Sequence, residues 1–248
     1  FMNQNEDHAL SDKALRQALL RGLDKETYCN TLLEGGATAG KAPVPPTLDF
    51  GFDDLNDENS YDPDSAKKIL EDAGYKDVDG DGYVETPDGD PLVLDFVIYT
   101  SRAELGVYAQ ASLKEIGINV NLNTVSYETL LDMRDSGQYD LLIWNVLVAN
   151  TGDPENYLRE NWYSSSANNT AGYNNPDVDK LLDELAQTFD EDKRKDLIVD
   201  IQQDIMDDAA TVFFGYETTY LFSNKKVTGV KMYPMDYYWL TKDITLAE

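Results

Sequence analysis

Asp77, Asp79 and Asp81 stand at alternating positions ahead of Gly82, Tyr83, Glu85 and Asp88. Counted from Asp77, this puts carboxylates at positions 1, 3 and 5, glycine at 6, the Tyr83 carbonyl at 7 and acids at 9 and 12. That is the order of oxygen ligands in a Ca²⁺ loop of EF-hand type. Position 12 is Asp rather than Glu, whose shorter arm makes bidentate reach harder, and no helix is predicted after Pro87. Ca²⁺ is expected here as a structural clip rather than a catalytic ion; the other reading is an Asx-rich turn leading into a strand at Leu92.

Gly35 to Ala42 comes within one residue of the phosphate-cradling pattern G-x-x-x-x-G-K-[ST]. Its context argues against a nucleotide. The stretch follows a predicted helix, runs into Pro43-Val44-Pro45-Pro46, and has Ala42 where a hydroxyl would hold Mg²⁺. A helix-terminating glycine loop is expected instead. Cys29 and His8 are each the sole residue of their type. Those counts exclude an intrachain disulfide and Cys-rich or multi-His metal sites, and with the one His in the polar N-terminal stretch Ser-His-Asp or Cys-His catalysis is not expected. No carboxylate pair calls for acid and base roles, no organic cofactor is implied, and the chain is expected not to be an enzyme.

The elements that would position a binding site follow from periodicity. Helices are predicted from Ser11, as N-cap, to Leu23, and over Thr27–Leu33. Three more share a start of Asx followed by Pro, at Asp62-Pro63, Asp153-Pro154 and Asn175-Pro176, where the Asx oxygen caps free N–H groups and Pro occupies the first helical position. Leu197, Ile198, Ile201 and Ile205 mark a helix over Asp192–Asp208. Gly35–Ser60 carries neither helical nor strand period and reads as a long irregular connection.

Between these lies an alternation: strand Leu92–Tyr99, helix Arg102–Ile116, strand Ile118–Val125, helix Tyr127–Asp135, strand Tyr139–Val146. Two successive strand-helix-strand units predict parallel neighbours in an α/β sheet. The first and third strands are apolar on both faces and suit central positions; Ile118, Val120 and Leu122 alternate with asparagines and suit an exposed one. Thr211–Tyr216 is read as a further short strand.

Ligands of such sheets bind at the carboxyl ends of the strands. Here those ends supply Arg102, Tyr127 and the loop Trp144–Asp153, whose Trp144, Asn145, Asn150, Thr151 and Asp153 combine an aromatic with amides, a hydroxyl and a carboxylate. These are the expected ligand-binding residues. Sixteen tyrosines suggest a carbohydrate or peptide surface, although most are expected in the core.

The net charge of −27 on 248 residues argues against nucleic acid or an anionic membrane as partner. The longest apolar run, around Leu141–Val148, is far shorter than the ~20 residues that span a bilayer. Phe1 in place of an initiator Met, and an aromatic cluster of Tyr233, Tyr237, Tyr238 and Trp239 with no partner element in the sequence, suggest a fragment or processed product.

The order of motifs resembles the extracytoplasmic solute-binding proteins of peptide and nickel ABC importers, family 5. The residues that carry the resemblance are Ser11–Leu19, Tyr61-Asp62-Pro63 with Ala66-Lys67 and Ala73-Gly74, Ile116-Gly117-Ile118, Tyr139-Asp140 before Trp144, and Asp153-Pro154. Gly172–Pro176 with Val178-Asp179, and Val227–Val230, complete the set. The resemblance implies a periplasmic-binding-protein-like fold (type II, class C), of which this chain is the C-terminal lobe: a mixed, mainly parallel sheet flanked by helices. Residues 1–216 are expected to form the ligand-binding lobe and 217–248 a crossover toward a missing N-terminal lobe.

It also implies capture of an oligopeptide or similar solute between two lobes for delivery to ABC permease subunits. A nickel chelate or an oligosaccharide is the alternative within the family; outside it stand a Ca²⁺-dependent adhesion module and a carboxylate-based hydrolase. The implied location is the periplasm, or the cell surface as a lipoprotein whose lipid anchor lies outside this segment. In peptide-binding relatives an Asp three residues before the Asp-Pro pair receives the ligand's α-ammonium. Asn150 occupies that place here, and a neutral amide cannot neutralise an ammonium.

Overall fold

The computed structural model describes residues 1–148, 152–232 and 240–247. In chain order the elements are α1 (Lys13–Gly22), α2 (Lys25–Thr27), β1 (Ala37–Ala39), α3 (Pro63–Asp72), β2 (Val93–Tyr99), α4 (Ala103–Glu115), β3 (Asn119–Val125), α5 (Tyr127–Ser136) and β4 (Leu141–Leu142). There follow α6 (Glu155–Trp162), α7 (Pro176–Leu185), α8 (Glu191–Asp207), β5 (Gly215–Glu217), β6 (Val227–Thr228) and β7 (Thr245–Leu246).

β3, β2 and β4 form a parallel sheet in that order, with Val93 opposite Asn119 and Phe96 opposite Leu141. β2 is central, as its apolar faces predict. β3 is an edge whose outward Asn121 donates to Asp95 Oδ1 at 2.7 Å. β4 gains a further neighbour because Met2 pairs with Leu141 in antiparallel sense and Leu142 N donates to the Phe1 carbonyl at 3.0 Å. The α/β architecture with helix-flanked parallel strands is therefore present. One apolar core joins this sheet to α1, α3 and α4 through Leu15, Leu19, Leu70, Leu94, Ile98 and Leu113; a second joins α6, α7 and α8 around Trp162, Leu182 and Ile198.

Two of the three Asx-Pro starts act as predicted, with Asp62 and Asn175 as N-caps and Pro at the first helical position; at Asp153-Pro154 the helix begins one residue later, with Pro154 in the N-cap place and Glu155 first. Asp62 Oδ1 accepts from Ser65 N at 3.0 Å, Asp153 Oδ1 from Glu155 N at 2.9 Å, and Asn175 Oδ1 from Asp177 N at 2.9 Å. The first helix departs from expectation by one position. Asp12 caps α1, accepting from Ala14 N at 2.8 Å, whereas Ser11 closes a preceding single turn and donates to the His8 carbonyl. A carboxylate with extended backbone outcompetes the adjacent hydroxyl for the free amides.

Two strand expectations need correction. The span 35–60 is not wholly irregular, because β1 pairs antiparallel with β5, Ala37 opposite Glu217 and Ala39 opposite Gly215. Only Gly215–Glu217, not Thr211–Tyr216, is strand. Gly40 sits where this pairing ends, and a Cβ there would lie 2.4 Å from the Phe213 carbonyl oxygen. The glycine that mimics a phosphate loop thus serves a close backbone approach. The predicted strand Tyr139–Val146 shrinks to two residues, since beyond Ile143 the Trp144 indole leaves the sheet to pack on α5.

Candidate functional site

The carboxyl ends of β2, β3 and β4 bring three aromatic rings together. Tyr99 is the last residue of β2. Tyr127 opens α5 directly after β3, behind the N-cap Ser126, whose hydroxyl accepts from Thr129 N at 3.2 Å. Trp144 follows β4 by two residues. Tyr99 and Tyr127 meet edge to face, centroids 5.9 Å apart; Tyr127 and Trp144 lie nearly parallel at 6.2 Å and 10°. Both arrangements suit the ring quadrupoles.

Arg134 completes the stack, its guanidinium carbon 4.5 Å from the Trp144 centroid. Tyr127 and Arg134 are seven positions apart on α5, two turns or about 10.5 Å along the axis. Both therefore reach the same indole from α5, at 6.2 and 4.5 Å. Trp144 is half-buried, with Tyr127 and Arg134 packed against its ring. Tyr127, 54% exposed, offers the free ring of the stack. Exposed Asn145, Val146 and Leu147 continue the surface beside it.

Arg102 stands at the start of α4, where Nε donates to Tyr99 Oη at 3.1 Å and the terminal nitrogens form a bidentate pair with Glu217 of β5, one bond at 2.8 Å. These bonds, the Glu217 bond first, hold the guanidinium protonated more firmly than usual despite partial burial. Tyr99 Oη in turn lies 3.5 Å from Asn145 Oδ1. Tyr99, Arg134 and Glu217 were not among the expected site residues. Tyr99 alone had a signal, its place as the last residue of a predicted strand.

Asp153 has a structural occupation. Its Oδ2 accepts from Arg194 Nε at 3.1 Å and Nη2 at 2.8 Å, while Arg194 also pairs with Glu155 and donates to the carbonyls of Leu185 and Thr188. Burial opposes the Arg194 charge, and the bonds from Glu155 and Asp153 outweigh it, so its pKa is raised. Asn150 and Thr151 lie outside the described residues.

In the acidic loop, oxygens of Asp77, Asp79 and Asp81 lie within 4.8 Å of one another, all exposed; Glu85 and Asp88 do not join this group. The carboxylates are already engaged by backbone amides. Asp77 accepts from Gly80 N and Gly82 N, Asp79 from Asp81 N and Asp81 from Tyr83 N, at 2.7–3.0 Å. Glu85 is buried and accepts from Val78 N at 2.7 Å, while Asp88 sits in the following turn, closed by Gly89 N on the Thr86 carbonyl. The loop unites the first three expected ligands and spends the fourth acid on its own backbone.

A sequence profile described as bacterial extracellular solute-binding proteins, family 5 middle, matches residues 1–169. The chain is 26% identical over 262 residues to the oligopeptide-binding protein AppA of Bacillus subtilis, covering 98% of this chain and 47% of that protein. The solved structure of B. subtilis AppA in complex with a nonapeptide has the same fold, with TM-score 0.86 at 24% identity over 100% of this chain and 50% of its own. A mannohexaose-bound periplasmic oligopeptide-binding protein of Thermotoga maritima superposes with TM-score 0.77 at 26% identity, covering 88% of this chain and 43% of that one. The chain spans about half the length of the relatives it matches.

Proposed function

Because this chain belongs to the bacterial extracellular solute-binding proteins of family 5, whose members bind solutes and are not enzymes, we propose that it is the binding lobe of an ABC importer's substrate-binding component. Its solute is an oligopeptide or similar molecule, received on the strand-end face and delivered to the permease outside the cytoplasm. Residues 1–216 form the lobe and 217–248 lead toward a second lobe that closes over the ligand. Closure draws its energy from the higher affinity of the closed form. No helix among the described residues is long and apolar enough to cross a membrane.

The observation that carries this reading is the convergence of Tyr99, Tyr127 and Asn145 at the carboxyl edge of three parallel strands. The nonapeptide of AppA and the mannohexaose of the T. maritima protein name the solutes to try first. On the complete polypeptide, a bound nonapeptide is expected to raise the melting temperature by several degrees and to compact the scattering profile. Tyr127→Ala is expected to weaken binding about tenfold, the loss of one stacking contact. Unchanged melting and scattering across peptides, oligosaccharides and metal chelates overturns the proposal. Ester or glycoside turnover abolished by Asp153→Asn would replace it with a hydrolase, and Ca²⁺-dependent matrix binding by this segment alone with an adhesion module.

The Asp77–Asp79–Asp81 triad supports a structural Ca²⁺, for which three carboxylates are part of the six to eight oxygens required. At ten times its dissociation constant, Ca²⁺ is expected to add about 1.4 kcal/mol and to raise the melting temperature by roughly 3 °C. Asp79→Ala abolishes that rise. No heat in calorimetry, or a response unchanged by Asp79→Ala, identifies a turn held by its own amides.

A further inference from the structure

A carboxylate arriving at the strand-end face meets an arginine that is already taken. Arg102 gives Nε to Tyr99 Oη and both terminal nitrogens to Glu217. Glu217 comes from 115 residues further along the chain. Its position does not depend on its own flexible arm alone: β5 pairs Glu217 with Ala37, and Thr218 N donates to the Gly36 carbonyl at 2.9 Å. A two-strand ribbon thus delivers a carboxylate to the edge of a different sheet.

This placement has two effects on the face. The guanidinium charge is matched in a bidentate geometry, so an incoming anion gains a pair with Arg102 only by displacing an equivalent one. The remaining Nε–H fixes the Tyr99 hydroxyl, and the Tyr99 ring meets Tyr127, the exposed ring of the stack, edge to face. The pair is not sealed from ligand, since the Arg102 and Glu217 side chains retain 26% and 48% exposure. Without Glu217 the same face would present an unmatched cation.

We infer that Glu217 is a specificity-determining residue: by occupying Arg102 it tunes the strand-end face to uncharged ligand groups and against carboxylates. This rests on the proposal that the face receives the solute. The test compares penta-alanine with its C-terminal amide by calorimetry on the complete polypeptide, in the wild type, in Glu217→Gln and in Arg102→Gln/Glu217→Gln.

The wild type is expected to bind the amide at least as tightly as the acid. Glu217→Gln shifts the ratio toward the acid about tenfold, the worth of one charge-assisted hydrogen bond, and the double variant returns it to the wild-type value. If Glu217→Gln weakens both forms equally and leaves the ratio unchanged, Glu217 is merely structural and the inference fails while peptide binding stands. If neither form binds to any of the three proteins, both fail.

Discussion

Replacing Arg16 by leucine is expected to lower the unfolding free energy by about 4 kcal/mol, in the range found when a buried charge network loses one partner, and the melting temperature by roughly 10 °C. Arg16 is only 6% exposed and donates to four carbonyls: Ala209 through Nε at 3.1 Å, Leu10 and Ser11 through Nη1 at 2.9 Å each, and Asp208 through Nη2 at 3.0 Å. Leucine fills part of the volume and leaves those oxygens without a donor. Arg16→Lys should recover less than half, since one ammonium cannot match a planar fork spread over four acceptors. A fall of less than about 3 °C for Arg16→Leu in thermal denaturation would show that α1 and the end of α8 are held together by apolar packing alone.

Arg194→Met should cost about 3 kcal/mol, by the same loss of a largely buried cation from its carboxylates. It removes the guanidinium bonds from Asp153 and Glu155 and strips the donor from the Leu185 and Thr188 carbonyls. Asp153→Asn should destabilise in the same direction by less, and the double variant by less than the sum, as for residues sharing one network. The comparison decides what Asp153 does. If Asp153→Asn changes solute affinity while the denaturation midpoint stays put, the carboxylate serves ligand; if the midpoint falls and coupling to Arg194 appears, it serves the loop.

The parts of the molecule that were legible in the sequence are those whose signals are local. β2 announces itself by apolar residues on both faces, and the Asx-Pro starts by a side-chain oxygen next to a residue without an N–H. The rest depends on meetings across long separations. β1 has three residues, too few to show a period, and exists only because β5 returns to it. The apolar stretch after Leu142 looks like strand by composition, but whether Trp144 continues a sheet or turns onto α5 depends on Tyr127 and Arg134. Among the site residues, Arg102 and Tyr127 follow from the rule about strand ends. The partner that neutralises Arg102 could not be anticipated from any nearby spacing.

The contacts that tie the first residues to much later ones also govern how the polypeptide is made. Asn3 N reaches the Asp140 carbonyl, and Arg16 reaches Ala209 across 193 positions. At translation speeds of about 5–20 residues per second, a ribosome needs roughly 10–40 s to travel from one to the other. During that interval α1 has emerged with α3 and α4 to cover Leu15 and Leu19 and with the Leu10 and Ser11 carbonyls for its guanidinium, but without the Asp208 and Ala209 carbonyls. The nascent chain thus carries an arginine that lacks two of its four acceptors until residues 208 and 209 have been made.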